Sequence, residues 1–292
     1  MSMSIKQLEL KANQIREDII KMLTTAGSGH SAGPLGTADI FTALYFHILK
    51  HNPKDPDWSE RDRLFLSNGH IVPVRYATMA RAGYFPVSEL STLRKLGSRL
   101  QGHPERLRLP GLETTSGPLG SGISEAAGHA YALRMDASRS HIYCITGDGE
   151  LDEGNIWEGV MFAAKNKLGS LTVIVDRNFI QLDGPTEKIM PLNDLGAKFR
   201  AFGWHVNEID GNNIQEVIDA CGLAKAVVDL PSVIIANTIP GKGVDYMEYN
   251  YLWHGNPPGL LDIPGAPPIV EQARVALNER RTRGGQIKSE HE

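Results

Sequence analysis

Residues 142–184 read IYCITGDGELDEGNIWEGVMFAAKNKLGSLTVIVDRNFIQLDG. An apolar strand ends in Gly147-Asp148-Gly149, a helix-like segment follows, and a second apolar strand ends in Asp176-Arg177-Asn178. One βαβ unit therefore sets a carboxylate, Asp148, and a carboxamide, Asn178, at the carboxyl ends of two strands, where open α/β sheets bind ligands. Asp-Gly turns are common, and GDG alone would be an ordinary strand-to-helix turn. The Asn about thirty residues on, at the tip of the next strand, makes a ligand pair of it. Such a pair suits Mg²⁺, a hard cation that shares six oxygens among a few protein groups, water and phosphate. A main-chain carbonyl just beyond, at Ile180, completes the protein's share. Gly147 and Gly149 let main chain approach a diphosphate without a Cβ in the way. A helix starting near Gly154 aims its amides at the same anion.

Outward from this unit the chain keeps alternating strands and helices. Ile5, Leu8, Ala12, Ile15, Ile19 and Met22 recur at steps of three and four, predicting a helix that ends near Gly27. Helices are expected over 37–50, 73–82, 87–96, 123–135, 193–202, 213–228 and 268–281, with strands at 63–67, 204–209 and 232–238. This alternation calls for an α/β fold, a parallel sheet with helices on both faces. No composition break marks a second domain, so residues 1–280 read as one α/β domain and residues 281–292 as a polar tail.

The bulk numbers exclude several classes. At 292 residues, 41% apolar and 22% charged, the chain has an ordinary globular composition. A net charge of −4 gives no electrostatic reason to expect nucleic acid or an anionic membrane. No apolar run reaches the length of a membrane span, and MSMSIKQLELKA lacks the shape of a secretion signal, so a cytoplasmic enzyme is expected. The two cysteines make no metal-ligand spacing, and Cys144 lies inside an apolar strand as an inert thiol.

Four of the ten histidines sit in loops marked by Gly or Pro: His30 in GSGHSAGPLG, His70 in SNGHIVP, His103 in QGHPE and His254 in LWHGNPPG. Such loops are free to turn an imidazole into a cleft, and imidazole exchanges protons near neutral pH. Any one of them alone is more often a surface or structural residue. A Zn²⁺ site is the rival function, but no pair has the i, i+4 spacing of helical ligands. The segment TTSGPLG, residues 114–120, is either a turn before a helix capped by Ser121 or Ser124, or a ligand-contacting loop. Glu153 sits where a solvated helix-start carboxylate is also favoured, and Lys242 in PGKGVDY lies in a phosphate-like but short context.

GDGELDEGNIWEG followed by DRNFIQLDG resembles the transketolase family, and the four histidine loops are similar to transketolase segments in the same order. The likeness runs over residues 10–275 and covers the family's first, diphosphate-binding domain, a PP-type thiamine diphosphate fold. It implies that Asp148, Asn178 and the Ile180 carbonyl bind Mg²⁺ and that Gly149 touches the diphosphate of thiamine diphosphate. Gly117 and Leu119 would meet the cofactor rings, and Glu153 would lie at the subunit contact. His30 and His103 would contact sugar hydroxyls and the carbonyl oxygen. His70 and His254 would lie near the diphosphate and the reacting carbon and move protons. Arg177 stands where relatives usually carry Asn or Asp, a departure expected to matter little.

The same resemblance implies two-carbon transfer from a ketose or ketose phosphate to an aldose. It implies a second domain, bringing the glutamate that activates the cofactor, which no segment here resembles. The helix and polar tail that close the chain favour a natural split enzyme over a truncated piece. The expected partner is therefore a separate C-terminal transketolase subunit, in an α2β2 assembly. That subunit is expected to provide most of the grip on a phosphate or sulfonate at the far end of the sugar. The rival families are deoxyxylulose-phosphate synthase, 2-oxoacid dehydrogenase α chains, and non-catalytic thiamine diphosphate-binding relatives. QGHPE and the split length favour transketolase over the first, the SNGH and GHPE loops favour it over the second, and the ligand pair with four loop histidines weighs against the third.

Overall fold

Along the central strands successive residues face opposite sides of the sheet, so an unbroken apolar run builds two cores at once. The computed structural model describes residues 3–284. Its strands are β1 (Arg63–Leu66), β2 (Ile142–Gly147), β3 (Leu171–Arg177), β4 (Ile180–Gln181), β5 (Gly184–Pro185), β6 (His205–Asp210) and β7 (Ser232–Asn237). Five of them form a wholly parallel sheet in the order β1-β2-β3-β7-β6, and β4 and β5 make a small antiparallel hairpin. Tyr143, Ile145, Ile174 and Ile234 pack on one face with Leu8, Ile15, Phe41, Tyr76 and Val217. Ile142, Cys144, Val173, Val175 and Val233 pack on the other with Ile123, Ala127, Val160 and Phe199. Both cysteines are buried and unpaired.

The helices fall close to expectation. Ile5–Ala26 opens with a capping box in which Ser4 and Gln7 bond each other's main chain, and it closes on Gly27 at φ 62. Helices at Val72–Ala82, Ser121–Met135, Gly154–Lys165, Leu195–Ala201 and Ile214–Ala226 cover the sheet. Two segments differ. The expected helix over 37–50 is an α-helix only over Ala38–Ala43 before a π-helical turn at Leu44–Ile48, and a short helix not expected, Ala32–Gly36, precedes it. The stretch 87–96 holds only a 3₁₀ turn, Val87–Thr92, before Arg94 enters a left-handed conformation. Of the expected tail, 281–284 belong to the last helix, Ile269–Gly284, and 285–292 lie outside the described residues.

Register fixes where a ligand can sit. Gly147 pairs with Asp176, and Arg177 with Asn237. The Asp148, Asn178 and Thr238 loops therefore leave the sheet side by side at its carboxyl edge.

Candidate active site

Asp148 and Asn178 are both buried. Oδ1 of Asp148 accepts from the Gly149 N–H at 2.7 Å. Oδ2 accepts from the Phe179 N–H at 2.8 Å, from Arg177 Nη1 at 3.1 Å and from the Thr186 hydroxyl at 3.4 Å. Phe179 takes φ 64, so the chain doubles back and Asn178 Oδ1 accepts from the Ile180 N–H at 3.1 Å. The Asn178 amide in turn donates to Asp176 at 2.8 Å. Burial raises the Asp148 carboxyl, offset mainly by the Phe179 N–H and Arg177. Burial also pushes Asp176 up to about 7, against the Thr238 hydroxyl bonded to it.

One buried carboxylate, one carboxamide oxygen and the main chain of a tight turn suit a hard cation that takes its other ligands from phosphate and water. Among the described residues no group of three or more His, Cys, Asp or Glu could hold a metal. Arg177 is the departure of consequence. Its guanidinium lies against Asp148, which the sequence alone did not disclose.

The four loop histidines converge. Ring centroids of His30 and His70 are 4.7 Å apart, His30 and His254 5.6 Å, and His70 and His254 5.3 Å. His103 borders them, its Cδ2 3.1 Å from where a Cβ on Gly69 would stand. Each ring has a local reason for its place. His70 lies in the 3₁₀ turn Gly69–Ile71 directly after β1. His254 ends the turn Tyr251–Trp253, capped by the Asn250 side chain and anchored by the wholly buried Trp253. Ser31 Oγ donates to the Asn256 carbonyl at 2.7 Å, tying the His30 loop to the His254 loop.

Burial, then the His254 ring, lowers His30 to about 3. Burial alone lowers His254 to about 4, and burial followed by His30 holds His70 well below its ordinary value. The rings are thus neutral near pH 7. Nδ1 of His30 and of His254, and Nε2 of Gln181, are buried without a hydrogen-bond partner. Gln181 lies on the β4–β5 hairpin beside Asn178, and that hairpin's Leu182 reaches the same Gly255 that borders His30. The strand-tip corner and the histidine cluster are therefore continuous, and they leave polar atoms for a bound molecule to satisfy.

The loop at 114–120 borders a cavity of about 160 Å³ together with Leu66, Ser67 and Glu125. Gly117 has open space where a Cβ would be, and Leu119 is partly exposed. Glu153 is exposed and lies beside Gly120, 2.9 Å from a Cβ placed there. Lys242 is held by Asp39 at 3.7 Å and the Asn212 carbonyl at 3.5 Å, which pins the 241–243 loop to the 32–43 segment.

Sequence reasoning missed Glu150. Its buried carboxylate accepts from Ser67 Oγ at 2.5 Å, the Gly120 N–H at 2.6 Å, Thr146 Oγ1 at 2.7 Å and the Gly147 N–H at 3.1 Å. One side chain thus ties together the loop after β1, the Gly-rich loop and the GDG turn. The only sequence signal was an acidic residue directly after GDG, in a position that reads as solvent-facing.

Residues 8–266 match a family model described as the transketolase thiamine diphosphate-binding domain. The 6-deoxy-6-sulfo-D-fructose transketolase subunit of a Clostridium species is 45% identical over 248 residues, 84% of this chain and 90% of that protein. An apulose-4-phosphate transketolase subunit of Phocaeicola vulgatus is 36% identical over 282 residues, 97% of this chain and 100% of that one. The transketolase of Leishmania mexicana superposes with a TM-score of 0.83 at 30% identity, covering 98% of this chain but 46% of its own.

Proposed function

This chain belongs to the transketolase family through its thiamine diphosphate-binding domain, and on that premise we propose that it is the diphosphate-binding subunit of a cytoplasmic two-chain transketolase. One observation supports this above the rest. The Asp148–Asn178 strand tips and the His30–His70–His254 cluster open onto the same carboxyl edge of one sheet. Among the described residues no helix is long and apolar enough to cross a membrane.

Asp148, Asn178 and the Ile180 carbonyl would hold Mg²⁺, and Gly149 would meet the diphosphate with its main chain. His70 and His254 would contact the cofactor, Gly117 and Leu119 would meet its rings, and Glu153 would face the subunit contact. Thiamine diphosphate, when bound, supplies the electron sink for cleaving a ketose between its second and third carbons. His30 and His103 then orient the sugar's hydroxyls and carbonyl oxygen. Held neutral by burial, His30, His70 and His254 can take up a proton from the donor sugar and return it to the acceptor aldose, His30 and His254 having an unpartnered Nδ1. A separate C-terminal subunit would complete each site, in an α2β2 assembly. The sugars named for the two relatives carry a sulfonate or a phosphate, and we place this chain's substrates in the same class of terminally anionic sugars.

Two-carbon transfer by this chain mixed with a separately encoded C-terminal subunit tests the proposal. Activity is expected with thiamine diphosphate and Mg²⁺ and is expected to vanish in Asp148→Ala. Activity that survives this substitution at ordinary Mg²⁺ would remove the metal assignment.

A further inference from the structure

Arg94 is a non-glycine residue in the left-handed region, at φ 59, and its N–H closes a loop by donating to the Leu100 carbonyl at 3.0 Å. Such a conformation persists only where its surroundings over-determine it, and it recurs at ligand-binding sites. Here it turns the side chain back across two glycines. A Cβ on Gly102 would meet Arg94 Cζ at 2.8 Å and both Nε and Nη2 at 3.0 Å. A Cβ on Gly29 would meet Nε at 3.5 Å. Gly102 directly precedes His103 and Gly29 directly precedes His30, so one guanidinium is laid across the approaches to two site histidines.

Its charge is uncommitted. Among the described residues no carboxylate is within ion-pairing distance of Arg94, and its guanidinium donates no hydrogen bond. The acids near it in sequence are taken. Glu89 holds Arg99 through two bonds at 2.6 and 2.9 Å, and Glu105 holds Arg108 at 3.5 Å. Other arginines of this fold that pack closely have partners, as Arg16 has Asp39, Arg61 has Glu113 and Arg81 has Asp18. Arg94 depresses His103 after burial, and His30 after burial and the His254 ring, which places it within electrostatic reach of the site. It remains exposed, so a solute can reach it.

A guanidinium is always charged, and its planar fork of donors matches the oxygens of a tetrahedral anion two at a time. We propose that Arg94 is this chain's own oxyanion-binding residue, receiving the phosphate or sulfonate at the far end of the sugar. This rests on the transketolase proposal and adds to it, since the partner subunit then shares that end of the substrate with this chain. Phosphate and sulfonate offer the same oxygens, and the experiment separates them.

The test uses the assembled two-chain enzyme carrying Arg94→Gln or Arg94→Lys, with a phosphorylated, a sulfonated and a neutral ketose as donors. Arg94→Gln is expected to raise KM for one or both anionic donors about tenfold, the scale of one lost charge-assisted hydrogen bond, and to leave kcat within about twofold. KM for the neutral donor stays unchanged, and lysine restores part of the loss. Whichever anionic donor responds more identifies the group recognised. Equal changes for neutral and anionic sugars, or none, overturn the proposal. A second measurement is independent of turnover. Inorganic phosphate titrated into the chain with thiamine diphosphate and Mg²⁺ is expected to bind wild type and to lose that binding in Arg94→Gln. Equal binding by both overturns the assignment even if no donor is turned over, whereas absence of turnover alone bears only on the transketolase proposal.

Discussion

Arg177 Nη1 lies 3.1 Å from Oδ2 of Asp148 while its Nη2 holds Glu187 at 2.6 Å. The guanidinium also stacks over Phe179, with Cζ 4.3 Å from the ring centroid. A fixed positive charge therefore stands beside the carboxylate proposed to bind Mg²⁺, and two cations near one carboxylate repel.

Arg177→Met should accordingly tighten Mg²⁺ binding by about threefold or more, because it removes a competing charge and keeps the apolar stem over Phe179. Calorimetry with Mg²⁺ in saturating thiamine diphosphate measures this. Weaker binding in the variant would mean that Arg177 supports the ion site instead of competing with it.

Removing Glu150 strands two buried hydroxyls and the buried Gly120 N–H, and frees the half-buried Gly147 N–H. Glu150→Ala should lower stability by about 3 kcal/mol or more, since each stranded donor costs about 1–3 kcal/mol. The loosened Gly-rich loop should also weaken thiamine diphosphate binding. Chemical denaturation and cofactor titration check the two effects, and a variant as stable as wild type would rule out the tethering role.

Gly120 takes φ 86, and a Cβ there would stand 2.1 Å from Asn155 Oδ1 and 2.9 Å from Glu153 Cβ. Gly120→Ala should lose about 1–3 kcal/mol from backbone strain and collision together. It should also displace Glu153 and weaken association with the C-terminal subunit. Sedimentation of the mixed chains reads that association, and an unchanged complex would free Glu153 from the contact.

The histidine cluster predicts an acid limb for the cofactor-free chain. Its rings stay neutral in the fold, with His30 near about 3 and His254 near about 4, but take protons once unfolded, where the ordinary value is 6.5. The unfolded state then binds more protons between those limits, so this contribution is whole above pH 6.5 and is lost as pH falls toward 4. Asp176, raised from 3.8 to about 7, acts in the opposite sense over nearly the same window and cancels one ring of the three. His254→Asn should therefore make the melting temperature less sensitive to pH between about 4 and 6.5. An unaltered slope would mean that His254 is not held neutral.

The sheet and its polar carboxyl edge were legible because β2, β3 and β7 are continuous apolar runs ended by polar tips, a pattern that needs no distant partner to interpret. The four histidine loops were legible for a similar reason, since Gly and Pro announce them locally. The break in 37–50 was not, because the apolar spacing of a π-helical turn at Leu44–Ile48 differs little from that of an α-helix. Nor was the β4–β5 hairpin, whose strands of two residues are too short to show a period. Glu150 and Arg94 escaped for a deeper reason. The first is defined by Ser67 and Gly120, 83 and 30 residues away. The second is defined by glycines at 29 and 102 and by the acids it does not meet.

Ser67, Gly120, Thr146 and Gly147 share a single acceptor, so three of the loops bordering the cleft move as one body. A change that shifts any of them is transmitted to the others and to the coenzyme at once. The 93–103 and 250–256 segments lie outside this knot, and they carry Arg94, His103 and His254. Adaptation to a new sugar has room to proceed there, on the rim, without disturbing the machinery beneath it.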